Sequence, residues 1–93
     1  MRKIIEFYGG ECSDCLLISP AVEKLEKEDG VEVEKLEVWH NEENKKRMEA
    51  LKPLYDAECS GNFEVPSFYD AESNRLLCMP MNYENLKKWV FEG

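Results

Sequence analysis

Between two β-rich runs, Lys3–Tyr8 and Val31–Trp39, lies a stretch in which Leu17, Ile18, Ala21, Val22 and Leu25 recur at helical spacing. That order constrains the fold more than any other feature of the chain. A helix of residues 13–28 placed between two strands of one sheet makes those strands parallel. Gly9-Gly10 ends the first run, and Asp29-Gly30 ends the helix, with Gly30 suited to the left-handed position that follows a helix.

The second run carries a parity switch. Val31 and Val33 share one face of an alternating strand, whereas Leu36 and Val38 share the other. This predicts a strand partly covered on both faces, or a bulge. Asn41 is placed to cap a second helix over 42–54, with Met48, Leu51 and Leu54 inward and Pro53 disturbing its last turn. A loop over 57–64 centres on Ser60-Gly61-Asn62. Residues 66–70 (PSFYD) and 75–79 (RLLCM) then read as a hairpin turning at Glu72-Ser73-Asn74. Asn82 caps a last helix carrying Tyr83, Leu86, Trp89 and Val90 on one face. The expected order is β-α-β-α-β-β-α: one α/β domain over residues 1–93, a four-stranded mixed sheet flanked by three helices.

Charge and hydropathy exclude several classes of function. The net charge is −8, from 20 acids against 12 bases, which repels a phosphate backbone and an anionic membrane. No apolar run approaches a membrane span, and the run after Arg2-Lys3 is too short for a secretory leader, interrupted as it is by Glu6. The chain is therefore expected to be a cytoplasmic monomer with no nucleic-acid or membrane partner. In a reducing cytosol its four cysteines serve catalysis or metal binding more often than a structural disulfide framework.

Cys12 and Cys15, in FYGGECSDC, fall where the first strand gives way to the first helix. Unpaired N–H groups and the helix dipole favour an anion there, and a thiolate is one. The geometry assigns Cys12 as the exposed attacking thiolate and Cys15, one turn later, as the resolving thiol. Glu11 and Asp14 beside them oppose a thiolate and offset part of the helix effect.

This arrangement resembles the thioredoxin–glutaredoxin superfamily over nearly the whole chain. Pro20 lies five residues after Cys15, Val65-Pro66 opens the third strand, Gly61 lies five residues before Pro66, and Glu6 lies six residues before Cys12. The resemblance implies a thioredoxin-like fold and a cytoplasmic thiol–disulfide oxidoreductase. In that reading Cys12, Cys15 and Glu6 are catalytic, Glu6 being the buried acid that takes the proton of the resolving thiol. Substrate binding falls to Val65, Pro66, Tyr8 and Glu11. A cis peptide at Pro66 is implied, leaving the Val65 backbone free to bond an extended substrate segment. No organic cofactor is expected. The partners implied are protein disulfides and a separate reductase or thiol donor. The chain departs from thioredoxins at Glu11 and at Ser13-Asp14, where the family has a Trp and Gly-Pro, which predicts a less acidic thiol and a reducing pair. Met79-Pro80-Met81-Asn82 replaces the glutathione-binding pattern of glutaredoxins, so a protein disulfide is the expected substrate.

Two other readings stay open. Soft-metal carriers also place a CxxC between a first strand and a helix, and residues 4–38 fit them, although the helix of 42–54 and the C-terminal helix do not. Tetrahedral zinc needs further ligands, and Cys59, Cys78 and His40 show no paired spacing for it, so no metal ligands are assigned. The other is a non-catalytic thioredoxin-like binding module, silenced by the acids beside Cys12. Cys59 reads as a residue near the dithiol or as a buried hydrophobe, and Cys78 as strand packing. Spacing leaves a second redox pair between them open. Trp39, Trp89 and Met48 are expected in the core and His40 in solvent at a strand end, and nothing in the sequence places it near Cys12.

Overall fold

The computed structural model describes residues 2–80 and 82–92; Met1, Met81 and Gly93 lie outside the described residues. The elements are β1 (Lys3–Tyr8), α1 (Ser13–Glu28), β2 (Glu32–Glu37), α2 (Glu42–Glu49), α3 (Lys52–Glu58), β3 (Ser67–Asp70), β4 (Arg75–Cys78) and α4 (Tyr83–Glu92). The sheet order is β2-β1-β3-β4, with β1 parallel to β2 and antiparallel to β3, and β3 antiparallel to β4. The chain is thus α/β around a four-stranded mixed sheet.

The expected helix count needs correction: four helices stand among the described residues where three were predicted. The segment expected as one helix over 42–54 breaks after Glu49, where Ala50 closes α2 by donating its N–H to Lys46 O at 3.0 Å. Pro53 does more than disturb a last turn. It sits in the first turn of α3, where its missing N–H has no intrahelical partner to lose. The loop expected from residue 57 shortens accordingly, because α3 runs to Glu58. At the start of α2, Asn41 Oδ1 accepts the Asn44 N–H at 3.0 Å, as its spacing predicts. Asn41→Ala should cost about 1 kcal/mol. A lower urea midpoint at unchanged slope would show it, and an unmoved midpoint would remove the cap from the account.

The parity switch in β2 has a simple cause. The pairing with β1 runs unbroken from Lys3↔Glu32 to Tyr8↔Glu37, so no bulge is present. The strand is covered on both faces instead. Val33, beside Ile4, packs with Ile18, Val22, Leu25, Phe68, Leu86 and Val90, under α1 and α4. Leu36, beside Phe7, packs with Met48, Tyr55, Cys59 and Leu76, under α2 and α3. Burial of each large apolar side chain contributes roughly 1.5–3 kcal/mol. Two polar links hold the sheet's far side. Asp70, fully buried, has Arg2 Nη2 at 2.8 Å, in ion-pair range though off a hydrogen-bond direction. Tyr55 and Ser67 hydroxyls meet at 2.6 Å, and burial pushes the Tyr55 phenol up to about 12 against the Ser67 bond.

Trp89 and Met48 are buried as expected, but Trp39 and Leu17 are not. Leu17 is 78% exposed, because Cys15, Ile18, Val22 and Leu25 already fill the buried stripe of α1. Trp39 is 50% exposed, because β2 ends at Glu37 and the strand alternation no longer governs it. Its indole lies over Gly9, where any Cβ would overlap the ring.

Candidate active site

Strand β1 ends at Tyr8, and the chain turns through Gly9, Gly10 and Glu11 into α1, with Cys12 N–H donating to Gly9 O at 3.2 Å. Cys12 is the N-cap of α1, with extended backbone (φ −79°, ψ 112°), and its Sγ accepts the Cys15 N–H at 3.1 Å. A sulfur held this way faces an amide donor at the positive end of a helix, where negative charge is favoured. Cys12 and Cys15 are paired as a disulfide with their Cα atoms 5.2 Å apart.

The expected contrast between an exposed Cys12 and an inward Cys15 is not found. Cys12 is 5% exposed and Cys15 is 7% exposed. The cover over Cys12 comes from the segment before β3: Val65 O lies 3.7 Å from Cys12 Sγ, within reach of the S–H of the reduced thiol. The Val65–Pro66 peptide is cis, as expected, and both residues are buried. Gly61, earlier in the same segment, has φ 85°, a backbone region that favours glycine.

Glu6 is a buried carboxyl, 5% exposed, on the α1 face of β1. Burial pushes its pKa up from 4.5 to about 7; the Lys35 charge across the β1–β2 pairing pulls it down, and Glu26 pushes it up. Lys35 in turn bridges to Glu26 at 3.1 Å. Glu6, Tyr8, Cys12, Cys15, Ser19 and Lys35 line one pocket of about 250 Å³, so the carboxyl and the dithiol share a chamber. Tyr8 is half-buried, and Phe7 is buried in the same apolar cluster as Cys12 and Cys15, with Tyr8 packed against it. A neighbouring pocket of about 170 Å³ is lined by Asp14, Leu17, Ile18, Pro66, Met79 and Pro80.

The turn before Cys12 is fastened by groups that sequence spacing did not place there. Glu11, exposed, meets His40 Nε2 at 2.6 Å. His40 is in solvent as expected, and the structure supplies what the sequence did not: it bonds Glu11, the residue before Cys12. The Glu11 hydrogen bond and charge hold the imidazole pKa above its ordinary value. Glu37 accepts N–H groups from Gly10, Trp39 and His40. Local loss of water raises the Glu37 pKa, and the His40, Gly10 and Trp39 amides outweigh it, leaving it lowered. The parallel register held the missing signal: with Tyr8 beside Glu37, residues 38–40 must lie beside the turn of residues 9–11.

Cys59 and Cys78 are paired as well, with Cα atoms 5.9 Å apart, so Cys78 is more than strand packing. Among the described residues, no three side chains of His, Cys, Asp and Glu converge on a point that could hold a metal ion. No helix among them is long and apolar enough to cross a membrane.

No protein-family model matches the chain, and no curated protein matches it.

Proposed function

We propose that the chain is a thioredoxin-like thiol–disulfide oxidoreductase that reduces protein disulfides through Cys12 and Cys15. One observation carries the reading: a bonded CxxC pair at a helix N-terminus, sharing a pocket with a buried carboxyl whose pKa is raised to about 7. The cis peptide before Pro66 and the order of elements around α1 agree with it. The division of α2 from α3 adds a helix to the compact thioredoxin-like plan and leaves Cys12 and Cys15 at the start of α1.

In the reduced protein the Cys12 thiolate attacks one sulfur of the substrate disulfide. That S–S bond breaks, and the other substrate sulfur leaves as a thiolate and takes a proton. Glu6 accepts the Cys15 proton within the shared pocket. Cys15 then attacks Cys12 Sγ and displaces the second substrate sulfur as a thiolate, which takes the proton held by Glu6, the first having taken its proton from water. Two electrons and two protons pass to the substrate, and the Cys12–Cys15 bond remains. An external dithiol or reductase returns the pair to its reduced form, and a reducing compartment, the cytoplasm, suits such a cycle.

The decisive measurement is the reduction potential of Cys12–Cys15, by equilibration in graded thiol buffers, alkylation and mass mapping. A two-electron transition near about −270 mV is expected. If the two thiols never pair under oxidising conditions, the reading fails.

A further inference from the structure

We propose that Cys59 and Cys78 are a second redox site, opened by a dithiol reductant, whose oxidised state holds the Val65–Pro66 segment against Cys12. The part that concerns Cys12 rests on the reading of the dithiol above; the existence of the second site does not.

The placement of the pair carries the argument. Cys59 caps α3, donating its N–H to Tyr55 O at 2.9 Å, and is buried. Cys78 ends the edge strand β4 and is partly exposed. Their Cα separation of 5.9 Å lies within the range that disulfides span. Cys78 stands opposite Ser67 in the β3–β4 register, and the next residue, Met79, donates its N–H to Pro66 O at 2.8 Å. One turn before Cys59, the Tyr55 hydroxyl meets Ser67 Oγ. The bond therefore ties α3 to the strand end that carries Pro66, and Val65 O lies 3.7 Å from Cys12 Sγ. The stretch enclosed between the two cysteines holds Ser60 (φ 56°) and Gly61 (φ 85°), then Val65 and Pro66.

The chemistry is ordinary exchange. A reductant thiolate attacks the partly exposed Cys78 sulfur, the Cys59–Cys78 bond breaks, and Cys59 leaves as a thiolate and is protonated. The second reductant thiol displaces Cys78, which is protonated in turn, and the reductant departs as a disulfide. The strand pairing and the Tyr55–Ser67 bond survive this step. What is released is the tie that closes the loop carrying Val65 between α3 and β4, so that local opening of Val65 away from Cys12 becomes easier.

The test uses the Cys15→Ser protein, in which Cys12 cannot form its own pair. Iodoacetamide alkylation of Cys12 is timed with Cys59–Cys78 oxidised and again after dithiothreitol reduction, with peptide mass mapping. We expect a separate two-electron transition at Cys59 and Cys78, and Cys12 alkylation about tenfold faster once they are reduced. A Cys59→Ala/Cys78→Ala variant in the same background should match the reduced rate. Equal Cys12 rates in both states, or a pair that resists reduction at all thiol poises tested, overturn the proposal and leave a structural bond. Neither readout depends on turnover. Failure of the oxidoreductase reading would show separately, as absence of a Cys12–Cys15 transition in the wild-type protein.

Discussion

Cys15→Ser protein mixed with an oxidised protein substrate is expected to accumulate as a covalent complex through Cys12, while turnover falls by about 10³-fold or more. The reason is the division of labour at the start of α1. Cys12 Sγ faces the Cys15 amide and the positive end of the helix, so it is the sulfur whose thiolate is favoured. Cys15 lies within the first turn and, in the proposed cycle, acts only once a mixed disulfide exists. Cys12→Ser should abolish turnover and give no complex. Exposure does not make this assignment, since the two cysteines are 5% and 7% accessible; position on the helix does. Non-reducing electrophoresis and intact mass read the outcome directly. A complex that forms through Cys15 in the Cys12→Ser protein would reverse the roles. No complex in either variant would move the weight to a binding module without chemistry.

The fold was legible where the pattern was local. The boundaries of α1 followed from Leu25, Asp29 and Gly30, and the caps from Asn41 and Asn82, whose Oδ1 atoms each accept an N–H three residues on. The break between α2 and α3 was harder to see, because Pro53 fits either the frayed end of one helix or the first turn of the next. Packing decides between them, and packing is not in the local pattern. Leu17 illustrates the same limit: its spacing is right for the buried face, yet Ile18 and Cys15 occupy that stripe and it stays in solvent. Around the candidate site, Cys12, Cys15 and Tyr8 were legible from the FYGGECSDC stretch itself, and Glu6 and Pro66 only through the resemblance to thioredoxins. His40 and Glu37 were missed because they reach the turn at Gly10 and Glu11 through the β1–β2 register, not through sequence spacing. The pairing of Cys59 with Cys78 joins residues 19 apart across two elements, a connectivity that cysteine counting leaves open.

Glu6→Gln is expected to slow disulfide turnover by about 10²-fold near neutral pH, and to stabilise the protein at the same time. Both effects come from one buried carboxyl. Burial raises its pKa from 4.5 to about 7, which near neutrality suits it to the proposed acceptance and return of a proton in the pocket it shares with Cys15. Turnover of the wild-type protein should therefore rise as pH passes through about 7, and the Gln variant should lose that limb of the profile. The stability effect has a definite sign. The folded state binds this proton more tightly than the unfolded chain, so stability is fully present below about 4.5 and falls as pH rises through about 7. The gap between those values corresponds to about 3 kcal/mol. Gln carries no such charge, so the stability of the variant relative to wild type should grow by about that amount across the same window. Urea unfolding at several pH values measures the slope, and initial rates at the same pH values measure the limb. A difference in stability that does not change with pH would place Glu6 in solvent contact and remove it as the proton acceptor. A Gln variant that grows more stable with pH yet keeps its full rate would leave Glu6 as a buried acid that Cys15 does not use.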